Sequence, residues 1–234
     1  MQQLFLRCLA LMITVLFIAP ASADYTDELL IKELVSQTRH LEKPVLKKAL
    51  TAFNNAQAAG LTDSTLFTVI DYSKPSNKPR LWVLDLEYGE LLYEELVSHG
   101  QGSGELYARK FSNTPESHQS SLGLFITEEP YYGRNGYSLR LDGLEEGINH
   151  LAKPRAIVIH GADYVTPDFI RKHGRLGRSH GCPAVSEAVN RELINTIKGG
   201  SLVFVYYPER TWLAQSEFLQ NDLDMDIRLS KLML

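Results

Sequence analysis

A chain of 234 residues with 44% hydrophobic and 22% charged residues is long enough for one principal domain with a sizeable core, and its charge content excludes a long disordered polyion. The formal charge of -4 and pI near 6.0 exclude the broad basic footprint of a general nucleic-acid binder.

In chain order, Arg7 precedes an apolar run from Cys8 to Ala19, and Ala21-Ser22-Ala23 follows with small residues where a signal peptidase reads. Residues 1–23 therefore read as a secretory signal peptide; the run is shorter than the ~20 residues a bilayer span needs. The expectation is an exported, periplasmic or cell-envelope protein without stable membrane insertion after cleavage. Cleavage removes Cys8, so Cys182 becomes the one cysteine of the exported chain and cannot form an internal disulfide.

Residues 24–60 read as helical. DELLIKELVSQT and VLKKALTAFNNAQAAG repeat apolar residues at three- and four-residue intervals, and Gly60 suits the end of the second helix. This segment is either a docking arm for a protein partner or a layer over the core. After Gly60 the pattern changes to strands: LFTVIDYS, RLWVLDLEYG, ELLYEELVSHG, SLGLFITEE, GYSLRLDG, RAIVIHG and SLVFVYYP. SKPSNKP (73–79) is a connector, and GQGSG (100–104) lacks the lysine of a phosphate loop and reads as a mobile or tight loop. TPDFIRKH (166–173) predicts a short helix and AVSEAVNRELINTIKGG (184–200) a longer amphipathic one. Residues 61–212 thus predict a mainly β sandwich or barrel, predominantly antiparallel, with residues 24–60 as a helical layer and 213–234 as a polar tail.

The chemistry concentrates in GRLGRSHGCPAV (174–185) and in His160-Gly161, which ends the run AIVIHG. A thiolate is a good nucleophile for carbonyls, but a free cysteine with pKa ~8.5 needs a base or positive charge to form it. His160 and His180 are the candidate bases. Arg171, Lys172, Arg175 and Arg178 lie in the stretch between Asp168 and Glu187, which holds no acidic residue. Such a cationic run favours thiolate and suits a substrate that carries carboxylates. Gly181 and Cys182 have backbone N–H groups that can face a developing oxyanion, the more so if Pro183 opens the following helix. Two other readings remain open on the residues alone: a zinc site of His160, His180 and Cys182 with His173, and a buried structural cysteine.

These residues resemble the YkuD-type L,D-transpeptidase catalytic domain, and more closely a murein L,D-transpeptidase branch with the motif GRLGRSxGCPAV. SSLGLFIT (120–127), YYGRNGYSLRLDGLEEGIN (131–149) and RAIVIHGADYV (155–165) also resemble that branch. The resemblance implies Cys182 as nucleophile, His160 as base and the Gly161 carbonyl as its orienting partner, with His180 beside the cysteine. Ser179, Gly181 and Arg178 match the surrounding motif, and Arg175 and Tyr137 are further candidates for oxyanion or substrate contacts. Eighteen residues separate His160 from Ser179, more than the wider family's commonest spacing, and Pro183 replaces a branched residue. The implied substrate is a peptidoglycan stem peptide and the implied reaction acyl transfer through a thioester, with no cofactor. A hydrolase using the same acyl-enzyme and a non-catalytic wall-binding module are the alternatives.

Overall fold

The computed structural model describes residues 28–220. The expected signal peptide, with Arg7 and Cys8, lies outside the described residues, as do positions 221–234 of the expected tail. No helix among the described residues is long and apolar enough to cross a membrane.

Two helices come first, α1 (Glu28–Gln37) and α2 (Lys43–Ala58). Pro44 sits in the first turn of α2, where its missing N–H costs nothing. At the other end the N–H groups of Gly60 and Leu61 return to the carbonyls of Gln57 and Ala56, so the helix closes at the glycine as its sequence predicts. The apolar stripe of α2 (Val45, Leu46, Ala49, Leu50, Phe53, Ala56) is buried, and Phe53 meets Phe67 of the sheet at 5.0 Å. The helices therefore share the main hydrophobic core with the strands.

One eight-stranded sheet forms the body. Its strands are β1 (Leu66–Asp71), β2 (Leu81–Asp85), β3 (Glu90–Glu95), β4 (Gly123–Gly133), β5 (Gly136–Gly143), β6 (Val158–Ala162), β7 (Ala184–Ser186) and β8 (Leu202–Tyr206), in the order β3-β2-β1-β8-β4-β5-β6-β7. Pairing is antiparallel except for β1 with β8 and β6 with β7. The last strand joins two antiparallel meanders, and β1 and β8, covered on both faces, are correspondingly continuous apolar runs. Gln37 protects the outer edge of β3: its side chain accepts from Leu91 N–H at 2.9 Å and donates to Gly89 O at 2.8 Å.

Beyond β3 the chain curls round to the opposite end of the sheet. Ser98 bridges Ala184 at the start of β7, and Gly100 bridges Ser179. The sheet is thereby nearly closed into a barrel, and the seam of that closure is where the GRLGRSHGCPAV segment lies.

The other helices are α3 (Pro167–His173), α4 (Glu187–Ile197) and α5 (Arg210–Gln215). Thr166 caps α3 by accepting from Phe169 N–H at 3.1 Å. Residues 184–186, expected at the start of a helix, instead form β7, because Ala184, Val185 and Ser186 find free strand partners in His160, Gly161 and Ala162. The helix begins three residues later and lies against β5, β6 and β7. Residues 213–220 stay on the body through Phe218, which is buried, and through Asn55, whose Nδ2 donates to the carbonyls of Phe218 and Gln220.

Candidate active site

Strand β6 places His160, and its pairing places Cys182. His160 lies opposite Ser138 on β5 and opposite Ala184 on β7. Side chains alternate along a strand, so His160 projects to one face while Gly161 turns to the other. Cys182 stands two residues before Ala184, and both His160 and Cys182 line one cleft of about 300 Å³ with Arg134, Asn135, Tyr164, Arg178, Ser179 and His180. No acidic side chain lines it.

His160 is 5% exposed, and its Nδ1 lies 2.8 Å from Gly161 O. A carbonyl only accepts, so Nδ1 carries the proton and Nε2 keeps its lone pair. Burial lowers the imidazole pKa, and the bond to Gly161 raises it by less. The resting ring is therefore neutral at pH 7, as a general base must be.

The Cys182 thiol donates to Ala156 O at 3.5 Å. Among the described residues, Ala156 is one of three non-glycine residues with left-handed φ (+55°), the others being Glu116 (+59°) and His118 (+51°). A left-handed Cβ costs roughly 1–2 kcal/mol. All three strained residues border the segments around Cys182, a distribution common at functional sites. Burial pushes the thiol above its ordinary value, opposed by the N–H of Val158, the charge of Arg155 and the cysteine's own N–H. The expected cationic acidification by residues 171–178 does not prevail. Arg175 and Arg178 both pair with Glu105, at 2.9 and 2.7 Å, and Arg171 pairs with Asp168. The expected contribution of a helix N-terminus is also missing, since β7 separates Cys182 from α4. The resting pair is thus thiol and neutral imidazole.

The turn that carries the cysteine is held from three sides. Ser179 Oγ donates to Cys182 O at 2.6 Å and accepts from Gly181 N–H at 3.1 Å. The Gly181 N–H, a candidate oxyanion donor, is thus given to Ser179. Ser120 Oγ accepts from Gly100 N–H at 3.0 Å and donates to Gly181 O at 3.1 Å. Backbone bonds from Ser179 N–H to His99 O (3.0 Å) and from Gln101 N–H to Ser179 O (2.8 Å) complete the frame. Gly181 has φ +126°, a conformation that excludes side chains, and a Cβ there would meet Gln119 O at 2.9 Å.

Behind this frame lies Arg80, 0% exposed and without a carboxylate partner among the described residues. Its Nε and Nη2 donate to Val97 O, its Nη1 to Lys74 O, and its Nη2 to His99 Nδ1 at 2.8 Å, with the guanidinium 4.9 Å from the Tyr72 ring. His99 Nε2–H then donates to Gly104 O at 3.3 Å. This chain of bonds orders the 97–104 segment that the Cys182 turn leans on.

The remaining expected residues divide between the cleft and other places. His180 lines the cleft and stacks on His118, with centroids 4.4 Å apart and planes at 7°. Arg178 lines it with its charge committed to Glu105, while Arg175 is not among the lining residues. Tyr137, paired across from Gly161's side of the strand, turns away. Its hydroxyl donates to Asn195 of α4 at 2.8 Å, and Arg191 lies over its ring at 5.0 Å. The cleft instead takes Arg134 and Asn135, from the tip of the β4–β5 hairpin. His173, a fourth member of the zinc reading, packs on Phe169 within α3, and no group of three or more potential metal ligands converges among the described residues.

Arg155, Ser120, Tyr164 and Arg134 were not legible as site residues. Through long-range closure of the sheet Tyr164 and Arg134 line the cleft, while Ser120 and Arg155 reach the turn that carries Cys182; local spacing holds no signal for either. All four lie in stretches that resemble the family (120–127, 131–149 and 155–165), which did not single them out, and GQGSG holds the glycine that the Cys182 turn touches.

A family model of the L,D-transpeptidase catalytic domain matches residues 37–206. No curated protein matches the chain. Among solved structures the chain is similar to an L,D-transpeptidase from Mycobacterium smegmatis, at 15% identity and TM-score 0.39, over 62% of this chain and 59% of that one. It is also similar to L,D-transpeptidase 3 from Mycobacterium tuberculosis, at 14% identity and TM-score 0.39, over 61% of each chain. A third, an L,D-transpeptidase from Stackebrandtia nassauensis, matches at 14% identity and TM-score 0.37, over 81% of this chain and 94% of that one. The chain thus spans about three fifths of the length of the two mycobacterial proteins.

Proposed function

The chain belongs to the L,D-transpeptidase catalytic domain family, and from that premise we propose that it is an exported, cysteine-dependent L,D-transpeptidase acting on peptidoglycan stem peptides through a thioester. The observation that carries this reading is the shared cleft of Cys182 and a neutral His160 whose Nδ1–H is fixed on Gly161 O. Nε2 of His160 is then the one ring atom free to take the thiol proton.

In the proposed cycle Cys182 transfers its proton to His160 and its sulfur attacks the carbonyl of a diamino-acid residue in a stem tetrapeptide. As the tetrahedral intermediate collapses, the C–N bond breaks. The terminal D-residue leaves as an amine, carrying the proton from His160. The side-chain amine of a second stem attacks the thioester, gives its proton to His160, and releases the sulfur, which recovers it. A cleft that no acidic side chain lines, with Arg134 at its wall, suits a stem that carries carboxylates.

The test is intact-protein mass after incubation of the mature chain with purified disaccharide-tetrapeptide, beside Cys182→Ala. The expected result is a mass gain equal to the stem less its terminal residue, absent from the variant. Cross-linked dimers among the products assign transfer, and shortened monomers assign hydrolysis. Turnover by Cys182→Ala would overturn the reading.

A further inference from the structure

Arg155 carries the inference. It precedes β6, and its guanidinium is half-buried. Every hydrogen bond that it makes goes to a neutral acceptor: Nη1 to Ser112 O at 2.6 Å and to Ser121 Oγ at 2.5 Å, Nη2 to Gln119 O at 2.6 Å and to Ser117 Oγ at 3.3 Å. It has no carboxylate partner among the described residues. A cation withdrawn from water without a counter-ion is costly, and burial does lower its pKa. The guanidinium also lies against the nucleophile turn: a Cβ on Gly181 would stand 3.5 Å from Nη2, and the Cys182 thiol donates to the carbonyl of the next residue, Ala156.

We propose that Arg155 is the counter-charge of the Cys182 thiolate, a half-buried cation left without a carboxylate so that the sulfur's negative charge completes the pair when His160 takes the proton. The same fork clamps residues 112–121, which bring Ser120 and His118 to the turn. Arg155 is in this sense a positioning and electrostatic residue, because it is not among the residues that line the cleft. The proposal rests on Cys182 being the nucleophile.

The other groups that face the sulfur do not take this role. His160 is neutral at rest, and Tyr72 and Tyr164 are both held protonated, their pKa pushed up to about 12. Arg178 is bound to Glu105, while Arg134 and His180 stand at the open wall of the cleft, where water screens them.

The test reads the sulfur directly and needs no stem peptide. Iodoacetamide alkylation of Cys182 is followed against pH in the wild-type protein, Arg155→Lys and Arg155→Gln, each shown to unfold cooperatively. Lysine keeps the charge and loses the fork; glutamine loses the charge. The expected midpoint for Arg155→Gln is higher by about 1 pH unit, the size of a lost neighbouring opposite charge. Arg155→Lys should restore most of that shift. Equal midpoints in all three proteins, or equal shifts in both variants, would reduce Arg155 to a structural staple. Should Arg155→Gln not fold, the wild type answers alone. Its rate ratio for anionic iodoacetate over neutral iodoacetamide should exceed that of free cysteine, and a ratio at or below it overturns the proposal. An alkylation shift without any stem adduct would keep the charge pair and sink the transpeptidase reading instead.

Discussion

Gly100 and Gly181 pack backbone against backbone: a methyl group on Gly100 would stand 2.8 Å from Gly181 Cα and 2.4 Å from His118 O. One residue belongs to the segment that continues β3, the other to the turn before β7, so their contact is the seam of the nearly closed sheet. Cys182 is thereby mounted on the closure itself, and its position depends on how tightly two distant segments meet.

Gly100→Ala should separate these segments. The obstacles are backbone atoms, which cannot swing aside, and overpacking of this kind costs about 1–3 kcal/mol. The expected outcome is a lower unfolding midpoint together with a turnover loss of about tenfold or more, as a displaced nucleophile loses alignment. Wild-type turnover in a folded Gly100→Ala protein would show that the contact does not position Cys182.

His160→Ala should slow acyl-enzyme formation by roughly 10²-fold or more, the scale of a lost general base. Burial depresses the folded-state pKa of His160 below 6.5, so the base form persists as pH falls past the ordinary imidazole range. The acid limb of kcat/KM should accordingly lie below pH 6.5. A limb above that value would place another group in control.

Glu105 holds Arg175 and Arg178 together at the edge of the cleft. The carboxylate is exposed, so Glu105→Gln should change stability by less than about 1 kcal/mol. Its effect should fall on binding: KM for a stem with a free terminal carboxylate should drop several-fold, with kcat little changed, because two guanidinium groups are released. An equal change for the carboxamide analogue of that stem would mean that these arginines do not read the carboxylate.

His99 should make the fold acid-sensitive. Its Nδ1 accepts from Arg80, and burial with that neighbouring charge depresses its pKa to about 3. Between about 3 and the ordinary 6.5 the unfolded chain binds the proton that the folded chain refuses, so stability falls as pH falls through this window. The slope is at most about 1.4 kcal/mol per pH unit. Asp71 and Glu145, buried carboxyls with raised pKa, contribute with the opposite sign, gaining stability as pH falls. The measurement is therefore a difference: unfolding free energy from pH 7.5 to 4.5 for wild type and His99→Gln. The variant should have the flatter acid side, and parallel curves would exclude His99 as the source.

The sequence by itself determined most of the elements and singled out the two residues of the proposed reacting pair. Runs rich in β-branched and aromatic residues, set off by turn formers, placed the strands, the apolar stripes and Gly60 placed α2, and His160 and Cys182 stood out because a histidine and a thiol beside glycines are chemistry that residue types carry. Those signals are local, written in neighbours along the chain. Only the tertiary structure decided what surrounds the sulfur. Residues 184–186 became strand because free partners awaited them on β6, against the helical pattern that follows them. Two cations of the run, Arg175 and Arg178, were paired by Glu105, about seventy residues upstream. Tyr137 fell on the wrong side of β5 for the cleft, while Arg134 arrived there and Arg155 and Ser120 arrived at the turn that carries Cys182. Charge pairing and burial are set by which segments meet when the sheet curls closed, and a closure between residues 98–100 and 179–184 leaves no periodic trace in the sequence between them.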